Sequence, residues 1–193
     1  MSHIERRQRD KEEIRQRIID AAREIAAKEG WQAVTIRRIA DRIEYTPPIV
    51  YEYFESKEDL FKELVYFGFD ILHKQFVEAS QTESDPKKLL LKLAIIHWDF
   101  SLQNKELFQL MFNLERPTPN EAMIYNMTLI EKTMTQISKG EKEIVRDLVF
   151  SFFCLKQGAI TFMMQMDKLP HKLSEKDARK LFIRVMERFI NSI

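Results

Sequence analysis

Apolar residues in the first part of the chain recur at helical spacing with charges between them. Ile14, Ile18, Ala21, Ala22 and Ile25 share one face of a segment from about Asp10 to Glu29, and Gly30 follows as a C-terminal stop. In "WQAVTIRRIADRIEY", Thr35 is placed to cap a short helix whose apolar positions are Ile36, Ile39, Ala40 and Ile43. After a turn at Glu44–Tyr45, Thr46, Pro47 and Pro48 begin a second short helix that reaches about Tyr53. Two adjacent prolines lack the N–H groups a helix interior needs, but in the first turn those groups have no partner anyway. Pro48 disfavours the α region for the residue before it, so the pattern predicts a helix starting at Pro48 with Pro47 extended outside it. Ser56, with Asp59 three residues on, opens a long helix to about Ala79.

Beyond a polar break at 80–85 the patterning changes. Asp85-Pro86 reads as a cap and a first-turn proline for a helix to about Leu102, apolar nearly all round and therefore central. Asn104 is placed to cap a helix to about Leu114, and "RPTPN" reads as a turn. Helices follow over about Glu121–Ser138, broken by Gly140, and about Glu141–Met166, the latter nearly all apolar in its second half. "KLPHKLS" reads as a loop, after which Ser174 and Asp177 start a last helix to about Asn191. No repeat, low-complexity tract or strand pattern interrupts this series. The fold class is all-α: a small N-terminal unit of three helices, a long connecting helix and a larger helical body.

Composition narrows the chemistry. The four glycines are Gly30, Gly68, Gly140 and Gly158, too far apart for a Gly-rich phosphate loop. Cys154 is alone, so no internal disulfide or cysteine zinc cluster is available, and a reducing cytoplasm fits. His3, His73, His97 and His171 show no metal-ligand spacing. His97 and Asp99 are two apart on a helix and do not face each other, and no nucleophile–base–orienter set accompanies Ser101. Neither an enzyme nor a cofactor or metal site is expected. The charged N-terminus has no signal-peptide core, and the apolar runs Leu89–Ile96 and Leu148–Leu155 are too short to span a bilayer, so no membrane partner is expected. Net charge is only +1, but Arg6, Arg7, Arg9, Lys11, Arg15 and Arg17 outnumber Asp10, Glu12 and Glu13 at the N-terminus. That local excess is an electrostatic footprint for nucleic acid, or else a solvated helix face or tail.

Two short helices joined by a tight turn make a helix-turn-helix over about residues 34–53, whose second helix enters the DNA major groove. The run "TIRRIADRIEYTPPIVYEYFESKEDLF" closely resembles the DNA-binding region of TetR-type transcriptional regulators. The family pattern is carried by Thr35, Ile39-Ala40, Tyr51-x-Tyr53-Phe54, Ser56-Lys57 and Leu60. "IIDAAREIAAKEGWQAVTI" matches the family's first helix and its glycine, so the resemblance covers roughly Lys11 to Leu72. "WDFSLQNKELFQLMF" looks like a segment in some members' ligand domains. Two departures stand out. Glu44 occupies a turn position where the family commonly has Gly, at a cost on the order of 1–2 kcal/mol if the backbone there is left-handed. Pro47 and Pro48 replace small or polar residues.

The resemblance implies a DNA-binding domain over 11–71 and an effector-binding and dimerisation domain over 72–193. The expected DNA contacts are Thr35, Arg37, Arg38, Thr46, Pro47, Pro48, Ile49, Tyr51, Glu52, Tyr53 and Lys57. Hydroxyl and cationic groups there suit phosphates, the apolar Pro47-Pro48-Ile49 surface suits thymine methyls, and Glu52 can accept from a cytosine amino group. A pocket for a small, mainly apolar effector of unknown identity is expected around His97, Trp98, Phe100, Phe108, Met111, Phe112, Phe152, Gln157 and Met163. Phe182, Val185, Met186 and Phe189 form a stripe on the last helix suited to a homodimer interface. The expected function is a ligand-released repressor on a palindromic double-stranded DNA operator. The alternative is a helical ligand-binding or enzymatic protein sharing only the three-helix start.

Overall fold

The computed structural model describes residues 3–112, 117–139, 142–165 and 173–193; Leu114, Gly140, Met166 and His171 lie outside them, and with them the expected helix end, helix break and part of the expected loop. Among the described residues the elements are α1 (His3–Glu29), a 3-10 turn (Trp31–Ala33), α2 (Ile36–Ile43), α3 (Pro47–Tyr51), α4 (Lys57–Thr82), α5 (Pro86–Gln103), α6 (Lys105–Met111), α7 (Glu121–Ser138), α8 (Lys142–Gln165) and α9 (Glu175–Asn191). The all-α expectation holds, and no strand occurs among the described residues.

The caps explain most boundaries. Thr35 accepts from Arg38 N at 3.3 Å, and Ser56 from Asp59 N at 3.0 Å. Asp85 accepts from Lys87 N at 2.9 Å and Lys88 N at 3.1 Å. Asn120 accepts from Met123 N at 3.0 Å and Ser174 from Asp177 N at 3.1 Å. Each satisfies an N–H that the helix leaves without a partner. Gly30, at φ +84° and ψ 165°, supplies the positive-φ residue that ends α1, a conformation that glycine adopts without strain. α1 begins near the N-terminus rather than at Asp10, so the arginine-rich arm is helical.

The chain divides into two compact units, Met1–Gly68 with Asn104–Thr118, and Phe69–Gln103 with Pro119–Ile193. In the first, α1 packs on α2 and α6, and α2 on α3, around Ile18, Ile39, Val50, Phe54, Leu60 and Leu64. Residues 104–118 therefore belong with the N-terminal helices, whereas the sequence reading divided the chain once, after residue 71. The reason is visible in named contacts. Arg23 donates from Nε and Nη2 to Glu106 Oε1 at 3.0 and 2.8 Å, and from Nη2 to Asn104 Oδ1 at 3.0 Å. Trp31 Nε1 donates to the Glu106 carbonyl at 2.8 Å. Asn104 makes no side-chain cap for α6, its oxygen being held by Arg23 instead. A Cβ on Gly68 would stand 2.3 Å from Met111 Sδ, so α4 and α6 approach as closely as glycine allows.

In the second unit α5 is central, packing on α7, α8 and α9, as its all-round apolarity predicted. Trp98 stacks on Phe182 with centroids 4.5 Å apart, and Asp99 holds Arg179 through two 2.7 Å hydrogen bonds. α8 is different. It is long and apolar enough to cross a membrane by length and composition, yet only 17% of its most apolar window is buried. The sequence reading rested on the shorter run Leu148–Leu155, and the continuous helix is longer than that run. Phe150, Phe162 and Ile144 are exposed along it.

Candidate nucleic-acid interface

α2 and α3 are held by a few core residues and a left-handed turn. Ile36, Ile39, Ala40 and Ile43 are buried on α2, and Val50 alone on α3. Glu44 adopts φ 62°, ψ 39°, and its N–H bonds back to the carbonyls of Ala40 and Asp41. A non-glycine residue thus accepts the left-handed cost that the sequence had flagged. Arg17 Nη2 donates to the Ile43 carbonyl at 2.7 Å, and its guanidinium lies 5.3 Å from the Tyr45 ring centre, which fastens this turn to α1.

Pro47 lies inside α3, with Thr46 as the extended N-cap residue, so the expectation of Pro47 outside the helix is corrected. As the first two helical residues, neither proline needs an N–H. Ile49 N bonds to the Thr46 carbonyl at 3.0 Å and Glu52 N to the Pro48 carbonyl at 3.2 Å, so the first turn closes without them. These bonds and the burial of Val50 offset the bias against proline before proline.

The outward-facing set follows from that placement. Thr35, Arg37, Thr46, Pro48, Tyr51 and Glu52 are exposed, while Arg38, Pro47, Ile49, Tyr53 and Lys57 are half-buried. Tyr51, at 53% exposure, is too open to be a core aromatic. Phe54 is buried, under the guanidinium of Arg15, which pairs with Glu63. Burial first, then Glu52 and Tyr45, push the Tyr53 phenol above its ordinary range, so it stays protonated and able to donate. Arg38 is engaged within its own unit, pairing with Glu29 and donating to the Ala33 carbonyl at 3.2 Å. Its hydrogen bond, and to a lesser degree its charge, holds the Glu29 carboxyl below the ordinary range. Lys57 Nζ lies 5.0 Å from the Phe61 ring centre at the start of α4. A cleft of about 550 Å³ beside the end of α3 is lined by Arg7, Gln8, Asp10, Lys11, Ile14, Glu52 and Tyr53, so part of the basic arm reaches this face. The arm's helical form is what the sequence left open.

A short exposed helix, flanked by the capped start of α2 and by Lys57, has the form of a major-groove reader. Residues 18–64 match the family model for bacterial regulatory proteins of the tetR family. That N-terminal segment is of the TetR type. Among relatives, the chain is 31% identical over 87 residues to the uncharacterized HTH-type transcriptional regulator YobS of Bacillus subtilis (strain 168), covering 45% of each chain. It is 26% identical over 102 residues to the HTH-type transcriptional activator FasR of Mycolicibacterium smegmatis, covering 53% of this chain and 47% of that one. These matches span less than half the length of either relative. Among solved structures, the transcriptional regulator FadR from Bacillus subtilis in complex with stearoyl-CoA superposes with a TM-score of 0.74 at 19% identity, over 92% of this chain and 98% of that chain. That likeness shows a shared fold.

The remaining expected site residues divide between the two units. Phe108, Met111 and Phe112 lie in the first, and His97, Trp98, Phe100, Phe152, Gln157 and Met163 in the second. His97, Trp98, Phe100 and Phe152 are buried there, and Gln157 and Met163 half-buried. On α9, Phe182 and Met186 are buried by their own unit, so the stripe read as a dimer face is half interior; Val185 and Phe189 remain half-buried. The sequence reading missed Lys156, which is buried on α8 between Phe152 and Ile160. A lysine in an i, i+4, i+8 row of apolar residues was the available signal.

Proposed function

We propose that this chain is a TetR-family, sequence-specific, DNA-binding transcriptional regulator of the cytoplasm, acting as a repressor on a palindromic operator and released by a small, mainly apolar effector. The observation that carries this reading is α3, which is anchored by Val50 while Thr46, Pro48, Tyr51 and Glu52 point to solvent. Thr35 and Arg37 at the start of α2, with Tyr53 and Lys57, position it on phosphates. Pro47, Pro48 and Ile49 offer thymine methyls an apolar surface, and direct base readout is modest. Arg38 acts by fixing the start of α2. The DNA-binding domain spans residues 11–71 and the effector and dimerisation domain 72–193, with residues 104–118 lending their packing to the first.

One short helix reads only a few base pairs, so the operator takes two copies of the chain with half-sites about one helical turn apart. The exposed apolar face of α8, with Val185 and Phe189 of α9, suits a twofold interface with a second copy. FasR is named an activator, so the sign of regulation is settled by transcription from the operator with and without this protein.

The test is fluorescence anisotropy of labelled duplexes from the DNA flanking the gene. Salt-steep, sequence-preferring binding is expected, and Lys57→Ala lowers affinity for all sequences alike while flattening the salt slope by about one unit. Absence of binding to every such duplex, with and without effector compounds, overturns the reading.

A further inference from the structure

Lys156 occupies a position on α8 that its neighbours in the same row fill with Phe152 and Ile160, and only 2% of it is exposed. Its Nζ lies 4.7 Å from the Phe153 ring centre and 5.8 Å from that of Phe152. Among the described residues no carboxylate pairs with it. Asp99, on the α5 helix that α8 packs against, is held by both forks of Arg179. His97, two residues before Asp99, is buried, and burial first and the Lys156 charge second hold its imidazole well below the ordinary range. The imidazole is therefore neutral, and Lys156 is left as the titratable cation beside it. Burial brings the lysine itself down to about 7.

A ring face attracts an ammonium but offers its three N–H donors no lone pair. A buried charge without a pairing carboxylate is costly for a fold to keep, and with no metal-ligating cluster among the described residues it points to an anion that arrives from outside. Two buried donors in the same unit, Trp98 Nε1 and Asn126 Nδ2, have no acceptor among the described residues. Aromatic side chains, Trp98, Phe100 and Phe152, are buried in the same unit.

We propose that the second unit binds an amphipathic monocarboxylate, with the apolar body among the aromatic side chains of α5 and α8 and the carboxylate on Lys156. This deepens the effector reading and rests on it. The ligand's carboxylate supplies the missing counter-charge and acceptors together, so an acid is selected over a neutral molecule of the same shape.

The experiment uses the full chain and two acid–alcohol pairs, dodecanoate with dodecan-1-ol and 2-naphthoate with 2-naphthalenemethanol, in calorimetric titrations near neutral pH and below any micelle concentration. At least one acid is expected to bind at least about tenfold tighter than its alcohol. Lys156→Met should reduce the acid to the alcohol's affinity and leave the alcohol unchanged, while Lys156→Arg keeps the preference. Should Lys156→Met fail to fold, NMR titration of the wild-type chain carrying 13C-dimethylated lysines decides instead. The dimethyl-lysine resonance that titrates near 7 in the free protein should shift toward the ordinary lysine value when acid is bound. The inference is overturned if neither acid outbinds its alcohol, if Lys156→Met binds acid as the wild type does, or if that titration does not move. Duplex binding in the same preparations is read separately. Acid selectivity with no change in DNA affinity sinks the effector reading and leaves the carboxylate site standing, whereas a DNA response to other compounds without Lys156 sinks the carboxylate site alone.

Discussion

Replacing Glu106 should loosen the first unit by more than any other ion-pair change on it. Arg23 reaches Glu106 with two N–H groups at 3.0 and 2.8 Å and Asn104 with a third contact at 3.0 Å. Its guanidinium also lies 5.5 Å from the centre of the Phe67 ring. The two side chains retain 24% and 12% of their exposure, against 43% and 58% for Arg42 and Glu24. Hydrogen bonds to charged groups are worth about 1.5–3 kcal/mol and a fully buried pair broken on one side costs about 3–5, while exposed pairs contribute about 0–1. The Arg23 pair lies between these limits. Asn104 and Phe67 still engage Arg23 once the carboxylate is gone, and the Trp31 bond to the Glu106 main chain survives. The expected loss for Glu106→Ala is therefore about 2 kcal/mol, with a coupling of about 1–2 kcal/mol in a cycle with Arg23→Met. Urea unfolding measures it. The two tryptophans fall one in each unit, so in a Trp98→Phe background the fluorescence of Trp31 follows the first unit. The midpoint should fall with the slope unchanged. High salt should leave most of the coupling intact while removing that of Arg42 with Glu24. A coupling below about 0.3 kcal/mol refutes the claim that this pair fastens α6 to α1.

Three further outcomes follow from the same geometry. Glu44→Gly should raise stability by roughly 0.5–1 kcal/mol in thermal unfolding, the relief of the left-handed backbone exceeding the extra entropy glycine brings to the unfolded chain, and a loss would place the residue's value in contacts rather than conformation. Gly68→Ala should cost about 1–3 kcal/mol because Met111 Sδ stands where the new Cβ goes, and Met111→Ala should recover part of it in the double variant, which urea titration detects. Burial depresses Lys156 to about 7 in the fold from the 10.5 of a free lysine, so between those values the unfolded chain binds the extra proton and stability rises with pH, by up to about 1.4 kcal/mol per pH unit, a rise that Lys156→Met should abolish in denaturant titrations across that range.

Local chemistry was legible wherever the partner lay within a few residues. Thr35, Ser56, Asp85, Asn120 and Ser174 all close their helices within three residues of themselves, and Gly30 ends α1 by its own backbone angle. Spacing also exposed the helix-turn-helix, because its pattern is short and its turn fixed. Pro47 shows where local rules conflict: the proline–proline bias pointed one way, and the bonds that close the first turn prevailed. Asn104 shows where they fail. It has the form of a cap, but its oxygen goes to Arg23, a residue 81 positions away that no periodicity reveals. The same contact draws residues 104–118 into the first unit.

α8 carries the part of the site that patterning could not divide. A stripe at helical spacing says that a residue is apolar on one face, not which neighbour covers it. Phe182 and Met186 are covered by their own unit, while Phe150 and Phe162, equally apolar, keep 69% and 59% of their surface in solvent. A bilayer and a second copy of the chain would both cover such a helix. Its other face decides between them. α8 packs on α5, α7 and α9 through Val145, Phe152, Lys156 and Ile160, and Lys142, Glu143, Arg146 and Asp147 crowd its first turns. A span would have to leave those partners and carry Lys156 into hydrocarbon unpaired, which costs several kcal/mol. A second copy would cover Phe150 and Phe162 and leave Lys156 where it is. Phe150→Glu with Phe162→Glu should accordingly give a folded monomer in sedimentation that holds a half-site weakly. A dimer that survives both changes would show that this face is covered by something else.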